Sequence, residues 1–219
     1  IEISISNTGE RTIATANSRD ESPLRISDGP DITHYTVGEN SFEVSQKSFW
    51  QSHKDAPRVL TDAVLQYAQA REGDHVLDLY GGVGLFAASF LTLIGETGSV
   101  DIVEGSKSAT ADASRNFAGK NNVHIHTGDV ARLITRLSQA DVIVLDPPRE
   151  GAGKDVITHC AQLKPRTIVY VACDPAALAR DTGYLRDAGY QLESMRAFDL
   201  FPMTHHIESV AKFAPGKVS

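Results

Sequence analysis

The sequence predicts an α/β protein built on a doubly wound, mostly parallel sheet, and three observations carry that expectation. Runs such as Asp141-Val142-Ile143-Val144-Leu145 and Thr167-Ile168-Val169-Tyr170-Val171-Ala172 are β-branched and aliphatic, the composition of strands buried on both faces. Segments of helical character separate these runs one by one, and that alternation implies right-handed crossovers with helices on both faces. Two of the runs stop sharply, at Asp146-Pro147-Pro148-Arg149 and at Cys173-Asp174-Pro175, because proline can neither extend nor donate to a ladder. The carboxyl ends of such strands are where open α/β sheets hold ligands, so a carboxylate and a thiol are offered to one crevice.

Taken in order, residues 1–45 read as a small β subdomain, with room for a larger amino-terminal region, and 46–219 as the α/β domain. Ile1–Ser6 and Arg11–Ala16 alternate apolar and polar residues around the turn Asn7-Thr8-Gly9-Glu10. Ser18–Pro30 is polar and reads as a loop, and His34–Val44 as two short strands around Gly38-Glu39-Asn40. Pro57–Ala70 has helical periodicity through Val59, Leu60, Ala63, Val64 and Tyr67. Strands are then expected at His75–Tyr80, Ser99–Glu104, Val123–Thr127, Asp141–Leu145 and Thr167–Ala172. Helices are expected between and after them, near 84–94, 107–119, 130–138, 153–162 and 176–188. The last of these can open on Pro175, and Ala176-Ala177-Leu178-Ala179-Arg180 supplies good helix formers. Tyr190–Leu200 and His206–Phe213 follow without a helix between them, so the sheet is expected to end in an antiparallel hairpin.

The totals narrow the class. With 219 residues, the chain is one large domain or one domain with a smaller attachment. No apolar run approaches the roughly 20 residues of a membrane span. The amino terminus has neither a basic n-region nor an apolar h-region, so no signal peptide is expected, and it lacks an initiator Met, as a fragment of a longer chain would. Cys160 and Cys173 are the 2 cysteines; so few suggest a cytoplasmic protein with free thiols, and neither lies in a CxxC pair that would suggest zinc or an iron–sulfur cluster. A net charge of −7 argues against a basic nucleic-acid-binding surface over the whole chain, but leaves room for a local basic groove.

Asp78-Leu79-Tyr80-Gly81-Gly82-Val83-Gly84 closes the first strand of the α/β part. Glycines there let backbone approach a ligand, and the helix that follows presents its positive end, which makes Asp78, Gly82 and Gly84 candidate cofactor-binding residues. Glu104 ends the next strand, where an acid reaches the hydroxyls of a ribose. Gly82-Val83-Gly84-Leu85-Phe86-Ala87 also fits the GxGxxA dinucleotide fingerprint literally. Against a nicotinamide enzyme, Asp78 lies inside the turn, the glycine pair is adjacent, and no second domain follows for a substrate. An acidic DxxxGxG loop with an acid on the second strand is more typical of S-adenosylmethionine binding.

Phe49-Trp50-Gln51, Leu77–Gly84, Asp146-Pro147-Pro148-Arg149-Glu150-Gly151, Tyr170-Val171-Ala172-Cys173-Asp174-Pro175 and Phe201-Pro202-Met203-Thr204-His205-His206-Ile207-Glu208 stand in this order. The series resembles the catalytic domain of the RNA uracil-C5 methyltransferases, which modify uridines in transfer or ribosomal RNA, and the resemblance runs from about Phe42 to Phe213. It implies a class I methyltransferase fold, S-adenosylmethionine as cofactor, no metal, and tRNA or rRNA as substrate. Part of the RNA specificity is expected in the amino-terminal region or beyond it, in a basic RNA-binding domain outside this chain. C5 of uracil is a poor nucleophile until a thiolate adds to C6, and a base must later remove the C5 proton. By resemblance Cys173 is the nucleophile and Glu208 the base. Asp146 contacts the cofactor or the uracil edge, Arg149 meets a phosphate or orients a carboxylate, and Gln51, Tyr80 and Glu104 contact the cofactor. Asp129 is a further candidate acceptor for the adenine amino group.

Two positions depart from the family pattern. Gly81 stands where cysteine is frequent, and Leu85 where some members carry a polar residue that helps bind cofactor. A free thiol ionises near pH 8.5, and the helix starting at Pro175 is expected to help Cys173 do so near neutrality. Cys160 reads as core packing, and Trp50 equally as a core plug or a base-stacking platform. His205 and His206, adjacent on a strand, would point to opposite faces rather than share a metal. Two other functions fit the class: methylation of an exocyclic amine, disfavoured by Arg149 in the place of an aromatic residue, and a cofactor-binding module without catalysis.

Overall fold

A computed structural model of the chain describes residues 1–15, 25–204 and 206–216. Its centre is a seven-stranded sheet formed by β6 (His75–Leu79), β7 (Ser99–Glu104), β8 (Val123–Thr127), β9 (Val142–Leu145), β10 (Thr167–Ala172), β11 (Tyr190–Phe198) and β12 (Glu208–Pro215). The spatial order is β11-β12-β10-β9-β6-β7-β8, and β12 alone runs antiparallel to its neighbours. From β6 the chain steps outward to β7 and β8, then returns across the middle to β9 and β10. The switch point therefore falls between β6 and β9, where the carboxyl ends diverge and a crevice opens. The expected terminal hairpin is present as β11 and β12, with a register shift between Leu192 and Ser194.

Period-two alternation in strands that are mostly apolar gives the sheet two apolar faces. Val76, Val100, Ile102, Val142, Val144, Val169, Val171 and Val210 pack with α1 (Ala56–Ala68), α2 (Leu85–Ile94) and α3 (Lys107–Asn116). Leu77, Leu79, Val103, Ile143, Leu145, Ile168 and Tyr170 face α4 (Val130–Leu133), α5 (Gly153–Gln162) and α6 (Pro175–Asp187). The helix expected near 130–138 is shorter than its pattern: α4 gives way to a 3-10 turn at Ile134–Arg136, where Ile134 and Thr135 are β-branched. Among the described residues no helix is long and apolar enough to cross a membrane.

Ahead of this domain, β1 (Glu2–Ile5), β2 (Arg11–Thr15) and β3 (Arg25–Asp28) form an antiparallel sheet. β3 corrects the reading of Ser18–Pro30 as a loop throughout; residues 18–24 of that stretch, like Ala16 and His205, lie outside the described residues. Arg25–Asp28 holds a single apolar residue, Ile26, so the strand depends on its partner β2 rather than on its own pattern. β4 (Ile32–Val37) and β5 (Asn40–Ser45) form a hairpin whose two-residue turn places Gly38 at φ +59, a conformation that favours glycine. The hairpin docks on α3. Glu43 N donates to Asn116 Oδ1 at 2.8 Å, and Ser45 N to Asp112 Oδ2 at 2.9 Å. Tyr35, Val37, Phe42 and Val44 join the same core as α1 and α2.

Candidate active site

At the carboxyl end of β6 the chain must turn into α2 within a few residues. Tyr80 takes φ +61, Gly82 φ +56 and Gly84 φ +93, and Gly84 caps α2. A Cβ on Gly84 would lie 2.2 Å from Phe117 Cε2, so that position is closed to every other residue. A Cβ on Gly82 would meet nothing within 4 Å, so this part of the loop faces open space. At Gly81 a Cβ would stand 2.8 Å from Ile102 Cγ2, which explains why glycine suits this chain where a cysteine is frequent. Leu85, the other departure, is buried in the core at the start of α2.

Acidic side chains hold the loop. Asp78 is wholly buried; its Oδ2 accepts from Ala87 N at 2.9 Å, and its Oδ1 has no partner among the described residues. Burial, reinforced by the nearby charge of Glu104 and opposed by the Ala87 amide, pushes its pKa up to about 7. Glu104 Oε2 accepts from Gly82 N at 3.0 Å and Oε1 from Ser106 N at 2.6 Å, so the second strand end braces the glycine loop and keeps further lone pairs for a ligand. Asp129 is exposed and caps α4, accepting from Arg132 N at 2.9 Å.

The remaining candidates come from the other half of the sheet. Asp146 follows β9 directly, is partly buried, and accepts from Gln51 Nε2 at 3.3 Å. Burial first, then the charges of Glu208 and Asp78, push it up to about 8. Cys173 follows β10 and is half-buried. The β10–β12 register pairs Ala172 with Ser209, and its next step sets Cys173 across from Glu208. Glu208 is only 7% exposed, and burial raises its pKa. Alternation then unites the set. Asp78 continues the stripe of Val76, Glu104 that of Ile102, Asp146 that of Val144, Cys173 that of Val171 and Glu208 that of Val210, all on the face covered by α1, α2 and α3. Gln51 approaches the same face from the segment that leads into α1.

Two expectations take another form in the structure. α6 was expected to give Cys173 some help in ionising; on balance burial, then Glu208 and Asp146, hold the thiol above its ordinary value, with its own backbone amide and Arg149 pulling the other way. The left-handed backbone turns the Tyr80 side chain toward the opposite cluster, where burial pushes its pKa up to about 12, so the structure does not bring it together with the other site residues. Trp50 stacks on Tyr35 with centroids 4.6 Å apart, packs on Phe42 at 5.3 Å and is partly buried against the core. Cys160 is fully buried, as its packing role requires. The sequence reading missed Asp181, which holds the loop behind Asp146; Arg180-Asp181 on a helix looks like a solvated charge pair and gives no inward signal.

A sheet of this order with glycine loop, acids and thiol at one end defines a methyltransferase fold of the Rossmann-like class, and solved structures share it. Over 93% of this chain and 50% of the other, it superposes with a TM-score of 0.75 and 25% identity on the Pyrococcus abyssi tRNA (uracil-54, C5)-methyltransferase in complex with S-adenosyl-L-homocysteine. The fold extends to a Geobacter metallireducens precorrin-6y C5,15-methyltransferase, at a TM-score of 0.63 and 15% identity over 80% of this chain and 94% of the other. Residues 33–213 match the model of the tRNA (uracil-5-)-methyltransferase family, and the chain belongs to that family. Among relatives, an uncharacterized RNA methyltransferase of Streptomyces avermitilis is 49% identical over 177 residues, 80% of this chain and 41% of its own. One of Corynebacterium glutamicum is 34% identical over 222 residues, 95% of this chain and 53% of its own. The chain thus spans about half the length of the curated relatives it matches.

Proposed function

We propose that this chain transfers a methyl group from S-adenosylmethionine to C5 of a uridine in tRNA or rRNA, through a covalent bond between Cys173 and C6 of the base. The observation that supports this reading is the end of the β10–β12 register at Ala172–Ser209, beyond which Cys173 and the buried Glu208 are the next residues of the two segments, near enough for the Glu208 charge to act on the thiol. The residues present fit the cofactor. Asp78 Oδ1 is a buried acceptor without a donor, and Gly82 opens onto free space. Asp78, the Gly82–Gly84 loop, Glu104 and Gln51 would hold it. When bound, S-adenosylmethionine supplies an electrophilic methyl group for C5.

The chain's own residues do the rest. Cys173 sulfur bonds to C6, and the C5–C6 π electrons shift to the ring carbonyl as an enolate, which makes C5 nucleophilic. Ionising the thiol is opposed by burial, Glu208 and Asp146 and assisted by its own backbone amide and then by Arg149. With its pKa at about 8, Asp146 keeps its proton at neutral pH, which removes one of the opposing charges. Once C5 is methylated, Glu208 takes its proton, the C5–C6 double bond reforms and the Cys173 thiolate leaves. A carboxylate raised by burial accepts that proton more readily than a free one. The target base must leave its stack to reach the crevice, because C6 and C5 have to meet the thiol and the methyl donor together.

RNA carrying 5-fluorouridine tests the reading, because fluorine cannot leave C5 as a proton does. With S-adenosylmethionine present, the wild type is expected to form a denaturant-resistant protein–RNA adduct and Cys173→Ala none. An adduct that survives in Cys173→Ala, or methylation of an exocyclic amine with no adduct at all, would overturn it.

A further inference from the structure

The proposed chemistry uses Cys173 at the end of one strand and Asp146 and Arg149 at the end of its neighbour. What fixes one strand end against the other is not part of that chemistry. The loop from Pro147 to Ala152 leaves β9, turns through the bond from Gly151 N to Pro148 O at 2.8 Å, and enters α5. α5 has no side-chain cap of its own. Its first amides are received by Asp181, on the middle of the neighbouring helix α6. Oδ2 of Asp181 accepts from Ala152 N at 2.8 Å, from Gly153 N at 3.1 Å and from the Tyr170 hydroxyl at 2.7 Å. Oδ1 accepts from Arg180 Nε at 2.9 Å and Nη2 at 2.7 Å, and Nη2 also donates to the Glu150 carbonyl at 2.6 Å. Asp181 is 0% exposed, so its carboxylate meets these donors away from water, where an unmet group is costly, while Arg180 reaches in from the surface. Gly151, at φ +80, lies so close that a Cβ there would stand 2.6 Å from Arg180 Nη2 and 2.7 Å from Asp181 Oδ2.

α6 is also the helix that begins just after Cys173, with Asp174 as its cap, accepting from Ala177 N at 2.7 Å. The helix is therefore a rigid rod from the nucleophile's strand end to Asp181, and Asp181 grips the loop that carries Asp146 and Arg149. Tyr170, on β10 itself, closes the triangle. We infer that Asp181 is a positioning residue that holds the Asp146–Arg149 loop in register with Cys173, so that its loss lowers the rate of chemistry rather than the binding of cofactor. The inference rests on the proposed reaction for its kinetic readout only. Misplacing a group by an ångström or so costs on the order of 10- to 100-fold in rate, which sets the expected effect.

The test compares wild type with Asp181→Asn, with Tyr170→Phe as a milder break, and with Ile157→Val as a control that loosens α5 without touching the network. Three quantities are read: single-turnover methylation of RNA, the dissociation constant of S-adenosylhomocysteine, and the pH–rate profile for alkylation of Cys173 by iodoacetamide. Asp181→Asn is expected to lower the single-turnover rate at least 10-fold, to keep the dissociation constant within about twofold, and to displace the midpoint of the alkylation profile. Tyr170→Phe should fall between it and wild type, and it decides the matter if Asp181→Asn does not fold. If the network variants match Ile157→Val in rate and alkylation midpoint, Asp181 is only a helix cap and the inference is wrong. Should wild type itself fail to methylate RNA, the proposed function falls, while the alkylation profile still decides whether Asp181 positions the loop.

Discussion

Asp78 is the clearest point at which the site works against the fold, and replacing it with Asn should make that visible. Asn keeps an oxygen for Ala87 N, so the backbone of the loop is undisturbed, but it cannot ionise. The carboxyl ionises at about 7 in the folded protein, against 3.8 for the free group. Well below pH 3.8 both folded and unfolded chains hold the proton and Asp78 contributes nothing to the pH dependence. Between the two values only the unfolded chain gives it up, so stability declines as pH rises. At about 1.4 kcal/mol per pH unit, the accumulated cost is roughly 1.5 kcal/mol at pH 5 and roughly 4 kcal/mol above pH 7. The stability of Asp78→Asn relative to wild type should therefore be more favourable at pH 8 than at pH 5 by about 2 to 3 kcal/mol. Urea unfolding of both proteins at the two pH values measures this, since the double difference cancels every group they share. The same variant should bind S-adenosylhomocysteine at least tenfold more weakly, through loss of a charged hydrogen-bond acceptor. A relative stability equal at pH 5 and pH 8 would refute the argument, for it would mean that Asp78 is already ionised, or already solvated, in the folded chain.

Glu208→Gln should still form the bond to C6 but lose the base for C5, so unmodified RNA is expected to accumulate as a covalent complex visible on a denaturing gel; turnover with no trapped complex would remove Glu208 from that role. Gly84→Ala places a methyl against the Phe117 ring at a left-handed φ, and should cost about 2 kcal/mol or more in stability together with measurable loss of cofactor affinity. Calorimetric melting with and without S-adenosylhomocysteine reads both effects.

Much of the sheet was legible because buried parallel strands write an unmistakable pattern: Val142–Leu145 and Thr167–Ala172 form where their composition placed them. The neighbouring strand ends that carry Asp146 and Cys173 were legible too, since both runs stop at proline-bearing segments. β3 was not, because Arg25-Ile26-Ser27-Asp28 becomes a strand only through pairing with β2. The Asp181 network was invisible for a related reason. Whether an Arg-Asp pair on a helix faces water or core depends on what the fold brings against it, here the Tyr170 hydroxyl and two amides from a loop about 30 residues earlier. The rise in the Cys173 pKa likewise comes from burial first, then from acids, both of which only the fold supplies.

The row of acids raises a problem for the proposed substrate, since RNA is a polyanion and the chain already carries a net charge of −7. Depth resolves part of it. Asp78 and Glu208 are buried and Asp146 partly so, whereas Arg149 is exposed. A phosphate at the mouth would meet a cation first, and only a neutral uracil ring need pass it. Protonation takes care of more, because at neutral pH Asp146 holds its proton and Asp78 is about half charged. Binding a cationic cofactor beside Asp78 would favour its ionised form, so cofactor binding should release protons between pH 6 and 8. Titration of S-adenosylmethionine, without RNA, in buffers of different ionisation enthalpy measures that release, and its absence would show that the cofactor's charge is balanced by groups other than Asp78.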